Sequence, residues 1–324
     1  MVGIDVSKAT LAVTWVNGQT HQVEWEASVP NTVDGVRQLL SATPAGLPWV
    51  LEPTGRYSLA VARQAQAAQR TVLLAQPKAA KAFLSALRPR AKTDRLDSRG
   101  LALYASATPL PPYPFKSALM DELQQLLTAR KGFSGALSRL HQQAGELPAA
   151  AASLRPALTA LRAQRAALDR HLAARMTQSP AWALTQELRR IPGIGPVTAA
   201  TVALCVQSKA FPHPDAFVAY CGLDVRVRDS GQRRGHRTLT KQGDAELRRL
   251  LYLSAQASLR ATQSPFKAQY ERERAKGLST TAALCAVARK LARLCWSLAR
   301  HGTSYDPQRV YRQPTHEKAL DTQP

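Results

Sequence analysis

Acid is what this chain lacks. Its 324 residues hold 22 Asp and Glu against 44 Lys and Arg, a formal net charge of +22. That imbalance points to a polyanionic partner, nucleic acid first, because Lys and Arg gain affinity by displacing counterions from a phosphate backbone. No basic amphipathic helix is paired with a lipid-anchor signal, which sets a membrane partner aside. Cysteine is scarce too. Cys205, Cys221, Cys285 and Cys295 have no metal-ligand spacing and sit in apolar surroundings, so they read as buried small hydrophobes. The sequence shows no signal peptide, no long uninterrupted apolar run and no internal repeat, and the expectation is a reduced, cytoplasmic protein. What is present is 45% hydrophobic residues, too many for general disorder and enough for two domains with cores.

The scarce acids are not spread evenly. The first 60 residues are slightly acidic, with Asp5, Glu24, Glu26, Asp34 and Glu52 against Lys8, Arg37 and Arg56. Four carboxylates stand where a nuclease-type metal site would need them. Asp5 ends the apolar run Val2-Gly3-Ile4-Asp5, and Glu52 ends Trp49-Val50-Leu51-Glu52 ahead of the turn Pro53-Thr54-Gly55. Asp94 and Asp97 are three apart in a helix-like stretch and so share one face. Clustered acids tolerate one another when a cation neutralises them. Two Mg²⁺ ions about 4 Å apart stabilise both the attacking and the leaving oxygen of phosphoryl transfer, and Mg²⁺ takes hard oxygen ligands while keeping several waters. The bland account is that these are turn acids and helix-start or surface ion pairs.

Patterning predicts strands at Val2–Asp5, Thr10–Val16 and His21–Ser28, the last two joined by a hairpin turn at Asn17-Gly18. A helix capped by Asn31 comes next, then a strand at Trp49–Glu52 and a helix over Tyr57–Gln69. A strand over Thr71–Ala75, a helix from Pro77 and a helix opening at Asp94 complete the series. Three meandering strands, then helix–strand–helix–strand–helix, is the order of the ribonuclease-H-like fold, a mixed sheet with helices on its faces. The proline-rich stretch 108–115 marks a boundary, placing a first domain at 1–108. Residues 109–186 read as a helical connector. Leu154, Leu158, Leu161, Leu168 and Leu172, interrupted by Arg165, form a short coiled-coil seam, with packing inside the chain the default and a dimer contact the other option. Pro148 and Pro156 are expected to break this region into separate helices. Residues 187–304 read as a mostly α domain with one irregular basic loop, 223–243, and 305–324 as a mobile polar tail.

Two motifs lie in the third region. Leu188-Arg189-Arg190-Ile191-Pro192-Gly193-Ile194-Gly195-Pro196-Val197-Thr198-Ala199-Ala200 has a helix-hairpin-helix signature. Gly193 and Gly195 permit positive φ and leave amides open at the start of the next helix, where a phosphate can be held without reading a base. A plain tight turn between packed helices is the competing account. The loop Asp224–Arg237 carries Arg226, Arg228, Arg233, Arg234 and Arg237 around Ser230, with Lys241 just beyond. A loop that tracks a phosphate backbone has this composition. By spacing alone Ser230, before a glycine, is a turn residue, since a serine hydroxyl needs a base or strong stabilisation of the phosphorane it creates.

Together these residues resemble the insertion-sequence transposases of the DEDD type, the serine-requiring recombinases guided by a bridge RNA. The resemblance runs nearly the whole length, in order, through Gly3-Ile4-Asp5-Val6-Ser7-Lys8, Glu52-Pro53-Thr54-Gly55-Arg56-Tyr57, Lys92-Thr93-Asp94-Arg95-Leu96-Asp97, Ile191-Pro192-Gly193-Ile194-Gly195, Phe217-Val218-Ala219-Tyr220-Cys221-Gly222-Leu223 and Asp229-Ser230-Gly231. It implies a resolvase-like nuclease domain, a helical connector and a serine-bearing transposase domain. It assigns the four acids to Asp5, Glu52, Asp94 and Asp97 and the nucleophile to Ser230. It further implies Mg²⁺ (Mn²⁺ substituting), a phosphoserine intermediate, and a homo-oligomer, dimer or tetramer, joining the acids of one protomer to the serine of another. DNA, a structured guide RNA and a nucleoid-associated prokaryotic setting complete the expectation. RNA guidance would leave sequence choice to base pairing and the protein to backbone and shape. The sequence departs from the family pattern in two places: Pro53 stands where a smaller residue is expected, and the lead-in to the first strand is short, so that either the start lies upstream or that strand frays. Two other functions remain open on the residues: a metal-dependent junction nuclease in which water attacks, and a non-catalytic nucleic-acid-binding protein.

Overall fold

A computed structural model describes residues 1–53, 55–87, 93–226, 229–230, 233–234, 238–262 and 264–311, with the backbone alone for residues 56, 87, 229, 230, 233 and 234. The chain forms two compact units, Met1–Phe115 and Lys116–Pro324.

The first unit is built on a five-stranded sheet. Its strands are β1 (Val2–Val6), β2 (Thr10–Val16), β3 (Val23–Pro30), β4 (Trp49–Leu51) and β5 (Val72–Leu74), in the order β3-β2-β1-β4-β5. β1, β2 and β3 pair antiparallel, while β4 lies parallel to β1 and β5 parallel to β4. This mixed sheet with helices is consistent with the ribonuclease-H-like arrangement. The helices are α1 (Val33–Ala42), α2 (Arg56–Ala67), α3 (Pro77–Leu87) and α4 (Asp94–Ala107).

β1 and β4 are apolar at nearly every position because both faces of the sheet are covered. Val2, Ile4, Val6, Trp49 and Leu51 join Val36 and Leu39 of α1 and Val61 and Ala62 of α2 in one core. Val50 turns the other way, into a second core with Ala80 of α3 and Leu101 and Tyr104 of α4. β1 is fully paired and Val2 is buried, so the strand does not fray. The cap of α1 is Thr32, whose hydroxyl accepts from Gly35 N at 3.2 Å, not Asn31. Asn31 instead donates from Nδ2 to Ser7 O at 2.7 Å, tying β3's end to the β1–β2 turn.

The proline-rich segment belongs to this unit. Leu74 N donates to Pro111 O at 3.0 Å and Tyr113 N to Val72 O at 2.8 Å, so the segment covers the exposed edge of β5. Tyr113 and Phe115 pack onto the first core. The unit therefore extends to Phe115 rather than ending at 108.

The second unit is mostly helical. α5 (Ala118–Glu146) and α6 (Ala151–Met176) are joined by a short 3₁₀ turn at Pro148–Ala150. Beyond them come α7 (Trp182–Arg189), α8 (Pro196–Ser208), α9 (Pro214–Tyr220), α10 (Ala245–Ser258), α11 (Pro265–Ala275) and α12 (Thr280–His301). Pro148 ends α5 as expected, but Pro156 lies inside α6. Near a helix start a proline removes only one bond, here the one to Ala152 O, and the helix continues. Arg130 Nε bonds Asp169 Oδ1 at 2.6 Å and Arg175 Nε bonds Glu122 Oε1 at 2.7 Å, so α5 and α6 run antiparallel. Leu158 and Leu172 are buried along α6 while most of its other residues are exposed.

The connector is not separate from the helices after it. Leu123 of α5 and Leu172 and Met176 of α6 share one core with Leu188, Val202, Phe217, Leu251 and Leu291. Nor is the segment beyond Tyr305 loose throughout: Tyr305 and Val310 are buried in that core, and Tyr311 packs against it. Residues 312–324 of the expected tail lie outside the described residues. The basic loop carries two small antiparallel ladders, β6 (Val225–Arg226) with β9 (Thr238–Leu239) and β7 (Asp229–Ser230) with β8 (Arg233–Arg234). No helix among the described residues is long and apolar enough to cross a membrane.

Candidate active site and nucleic-acid interface

Asp5 and Glu52 come side by side at one end of the sheet. The register Ile4↔Leu51 between parallel β1 and β4 makes Asp5 and Glu52 the next positions along their strands. Side chains alternate along a strand, so Asp5 shares a face with Gly3 and Glu52 with Val50. That face is covered by α4. A Cβ on Gly3 would lie 2.0 Å from Ser98 O and 2.6 Å from Ala102 N, so only glycine lets the helix backbone come this close. Thr14, paired with Gly3, bonds Ser98 through their hydroxyls at 2.8 Å. Leu101, Tyr104 and Ala105, in the later turns of α4, belong to the cluster against which Met1, just before β1, packs. The first turn of α4, with Asp94 and Asp97, therefore falls toward the opposite end, where Asp5 stands. Thr93 caps that turn, its hydroxyl accepting from Leu96 N at 3.3 Å. Asp94 is exposed, whereas Asp5, Glu52 and Asp97 are half-buried.

Among the described residues, no group of three or more His, Cys, Asp or Glu side chains stands close enough to hold a metal ion. The four carboxylates share an end of the sheet without forming a closed set. Their donor chemistry fits a hard divalent cation such as Mg²⁺ or Mn²⁺, since all four offer carboxylate oxygens and no soft ligand is among them.

In the second unit, Ser230 lies in β7 with Arg233 as its Cα partner in β8, and Asp229 faces Arg234. Arg226 lies in β6 opposite Thr238. Arg228 and Arg237 lie outside the described residues. The base of this loop is firmly built. Thr240 N donates to Asp224 O at 3.0 Å, Arg248 Nη1 donates to both Cys221 O and Lys241 O at 3.3 Å, and Asp244 caps α10 by accepting from Glu246 N and Leu247 N. Lys241 itself has φ +53, a left-handed conformation costly for a residue with a Cβ.

The two glycines of the 191–195 turn divide the work differently from the sequence expectation. Gly193, at φ +88, is pressed onto α10: a Cβ there would meet Ser254 O at 2.2 Å and Ser258 N at 2.6 Å. Gly195, the N-cap of α8, has open space around its Cα and supplies no side-chain cap. The first amides of α8 therefore lack side-chain acceptors, which suits an anion there. Arg189 at the end of α7 and Arg249 on α10 stand around the same opening. Arg189 falls within the helix-hairpin-helix stretch without a role assigned to it there, and Arg249 left no signal in the sequence, because the two meet only through the packing of α7, α8 and α10. Arg249 Nε also donates to Glu246 Oε2 at 3.1 Å. Burial pushes the Glu246 carboxyl up, but Arg249 and Lys131 together bring it below the ordinary range.

Comparison with known proteins places both units. Residues 2–147 match a transposase family of the IS110 DEDD type, and residues 185–271 match the transposase IS116/IS110/IS902 family. Through these two regions the chain belongs by descent to the IS110 family, whose models are those of DEDD-type insertion-sequence proteins. An "Insertion element IS110 uncharacterized 43.6 kDa protein" of Streptomyces coelicolor is 31% identical over 163 residues, 50% of this chain and 39% of that protein. A "Probable family 20 transposase" of Pseudomonas aeruginosa is 27% identical over 209 residues, 59% of this chain and 61% of its own length. A "Transposase for insertion sequence element IS1328" of Yersinia enterocolitica is 32% identical over 123 residues, 37% of each chain. In each case the chain covers less than two thirds of the relative.

Proposed function

We propose that this protein cuts and rejoins DNA as a metal-dependent transposase that uses Ser230 as its nucleophile. The observation that carries the proposal is the register of β1 against β4, which sets Asp5 and Glu52 side by side at the strand ends, on the face that α4 covers. Asp5, Glu52, Asp94 and Asp97 would hold Mg²⁺, which supplies charge stabilisation to the attacked phosphate and to the leaving oxygen. The Ser230 Oγ–H bond breaks as Oγ bonds to phosphorus, the proton passing to solvent. The bond from phosphorus to the departing 3′ or 5′ oxygen breaks, and that oxygen takes up a proton. A serine phosphodiester results, and attack by another strand's hydroxyl reverses the step, freeing the serine and joining the new strand. Arg233 and Arg234, in β8 beside Ser230, offer positive charge to the phosphorane oxygens.

The helix-hairpin-helix character of the 191–195 turn belongs to this proposal, with Gly195 and the start of α8 as the phosphate contact. So do guidance by a structured RNA, assembly as a homo-oligomer, and any use of the α6 leucine seam beyond its packing within the chain. Incubation of the protein with its element-end DNA and Mg²⁺ tests the chemistry. A protein–DNA adduct that survives denaturing electrophoresis should form, and should vanish with Ser230→Ala. Asp5→Asn and Glu52→Gln should abolish cleavage with DNA binding retained. Mg²⁺-dependent cleavage with no adduct would assign the attack to water and make the protein a nuclease. Absence of cleavage with unchanged binding would leave a binding protein.

A further inference from the structure

A cavity of about 440 Å³ opens beside the start of α8, walled by α5, α6, α7, α8 and α10. Its volume lies in the range of clefts that hold small organic ligands, roughly 300–1,000 Å³. Its wall is mainly apolar, with Met176 and Leu172 of α6, Trp182 of α7 and Leu250 of α10. Leu253 lies at its edge with 44% of its surface exposed, unusual for a large aliphatic side chain here. Gln186 also lines it, and its buried Nε2 has no hydrogen-bond acceptor among the described residues. A buried donor left unpaired is costly, and its presence calls for an outside partner. The rim carries three arginines: Arg189 stands there, Arg249 is paired with Glu246 and Arg130 with Asp169, and the uncapped start of α8 opens into the same space.

An aromatic and aliphatic wall, one amide donor and a positive rim at a helix start match the parts of a single nucleotide. We propose that this cavity receives one unpaired nucleotide of a DNA strand, its base inside and its phosphate at the α8 end. The base stacks on Trp182 and packs against Leu253. Gln186, its amide turned toward the cavity, donates from Nε2 to a ring nitrogen or carbonyl oxygen on the base edge. Arg189, Arg249 and the first α8 amides meet the phosphate. The inference rests on the DNA-handling reading above and deepens it, since strand exchange requires DNA to be unpaired at some stage. It asks for extrusion of a base where a phosphate contact alone would leave the duplex intact.

The test compares two DNA duplexes that differ only in one extrahelical 2-aminopurine, titrated with the full chain at fixed salt. The bulged duplex should bind about five-fold tighter or more, as expected for one base stacked on an aromatic ring, with its fluorescence quenched. Trp182→Leu should restore the fluorescence. Leu253→Trp, a change at an exposed position that fills the mouth, should abolish the preference for the bulge. Equal affinity of the unsubstituted chain for both duplexes overturns the proposal, as does a preference that survives Leu253→Trp. An RNA duplex with the same bulge that binds as tightly overturns the assignment to DNA. Failure to bind either DNA duplex refutes the DNA-handling reading itself, whereas binding without preference refutes only the cavity's role.

Discussion

Thr14 of β2 and Ser98 of α4 hold each other through a hydrogen bond of 2.8 Å between two fully buried hydroxyls. The pair fixes α4 on the sheet one residue beyond Asp97 and across the strand from Gly3. Ser98→Ala leaves the Thr14 hydroxyl with only a long contact to Glu26, 3.4 Å. It should cost about 1–2 kcal/mol in urea unfolding of the first unit. Thr14→Val combined with Ser98→Ala should cost less than the sum of the single changes, because neither hydroxyl is then stranded.

Gly3→Ala is the sharper test of how the acids are placed. Its new methyl would meet backbone atoms of α4, which cannot move aside as a flexible side chain can. The change should destabilise by about 1–3 kcal/mol, and DNA cleavage should fall further than stability does, because the first turn carrying Asp94 and Asp97 is displaced. Cleavage at the original rate by a correctly folded variant would contradict the placement.

Alkaline pH should weaken the second unit. Burial pushes the Cys205 and Cys295 thiols up to about 12, and Cys221 also upward. In the unfolded chain they ionise at about 8.5. Between these values the unfolded state has lost protons that the native state keeps, so stability is full below about pH 8.5 and declines as pH rises toward 12. Denaturant midpoints from pH 7 to 10.5 should fall, and Cys295→Ala should flatten the decline. The same thiols should resist alkylation at pH 8 until denaturant is added.

Truncation after Gly302 should cost about 2–4 kcal/mol, from the lost burial of Tyr305 and Val310. Calorimetry of the shortened chain would show a lower midpoint. An unchanged midpoint would mean that this segment adds nothing to the core.

DNA affinity should fall steeply with salt, in proportion to the number of phosphates neutralised. A flat dependence of log affinity on log salt would contradict backbone-dominated contact by a chain of charge +22.

The element order of the first unit was legible because its strands are short apolar or alternating runs bounded by turn signals, and Asp5 and Glu52 sit at the ends of two of them. How far the four acids stand from one another was not, since that depends on the pitch of α4 over Gly3. Choosing between Asn31 and Thr32 as a cap was beyond pattern, because both suit the position and only the Ser7 carbonyl decides. The ladders β6–β9 and β7–β8 are two residues long, too short for alternation to register. Pro111 and Tyr113 read as a linker because nothing local reveals an uncovered β5 edge. Tyr305 and Val310 sit in polar surroundings, so their burial against the helical core left no mark in the local composition. Gln186 and Leu253 carry no motif at all and meet only in three dimensions.

Gly193 touches the backbone of α10 with no side chain between them. That seam has no cushioning atoms to absorb strain. A load applied where α8 begins is handed straight to Ser254 and Ser258, and thence to the helix that bears Arg249 and Leu253. A strand seated at that corner would bear on α10 through this direct contact.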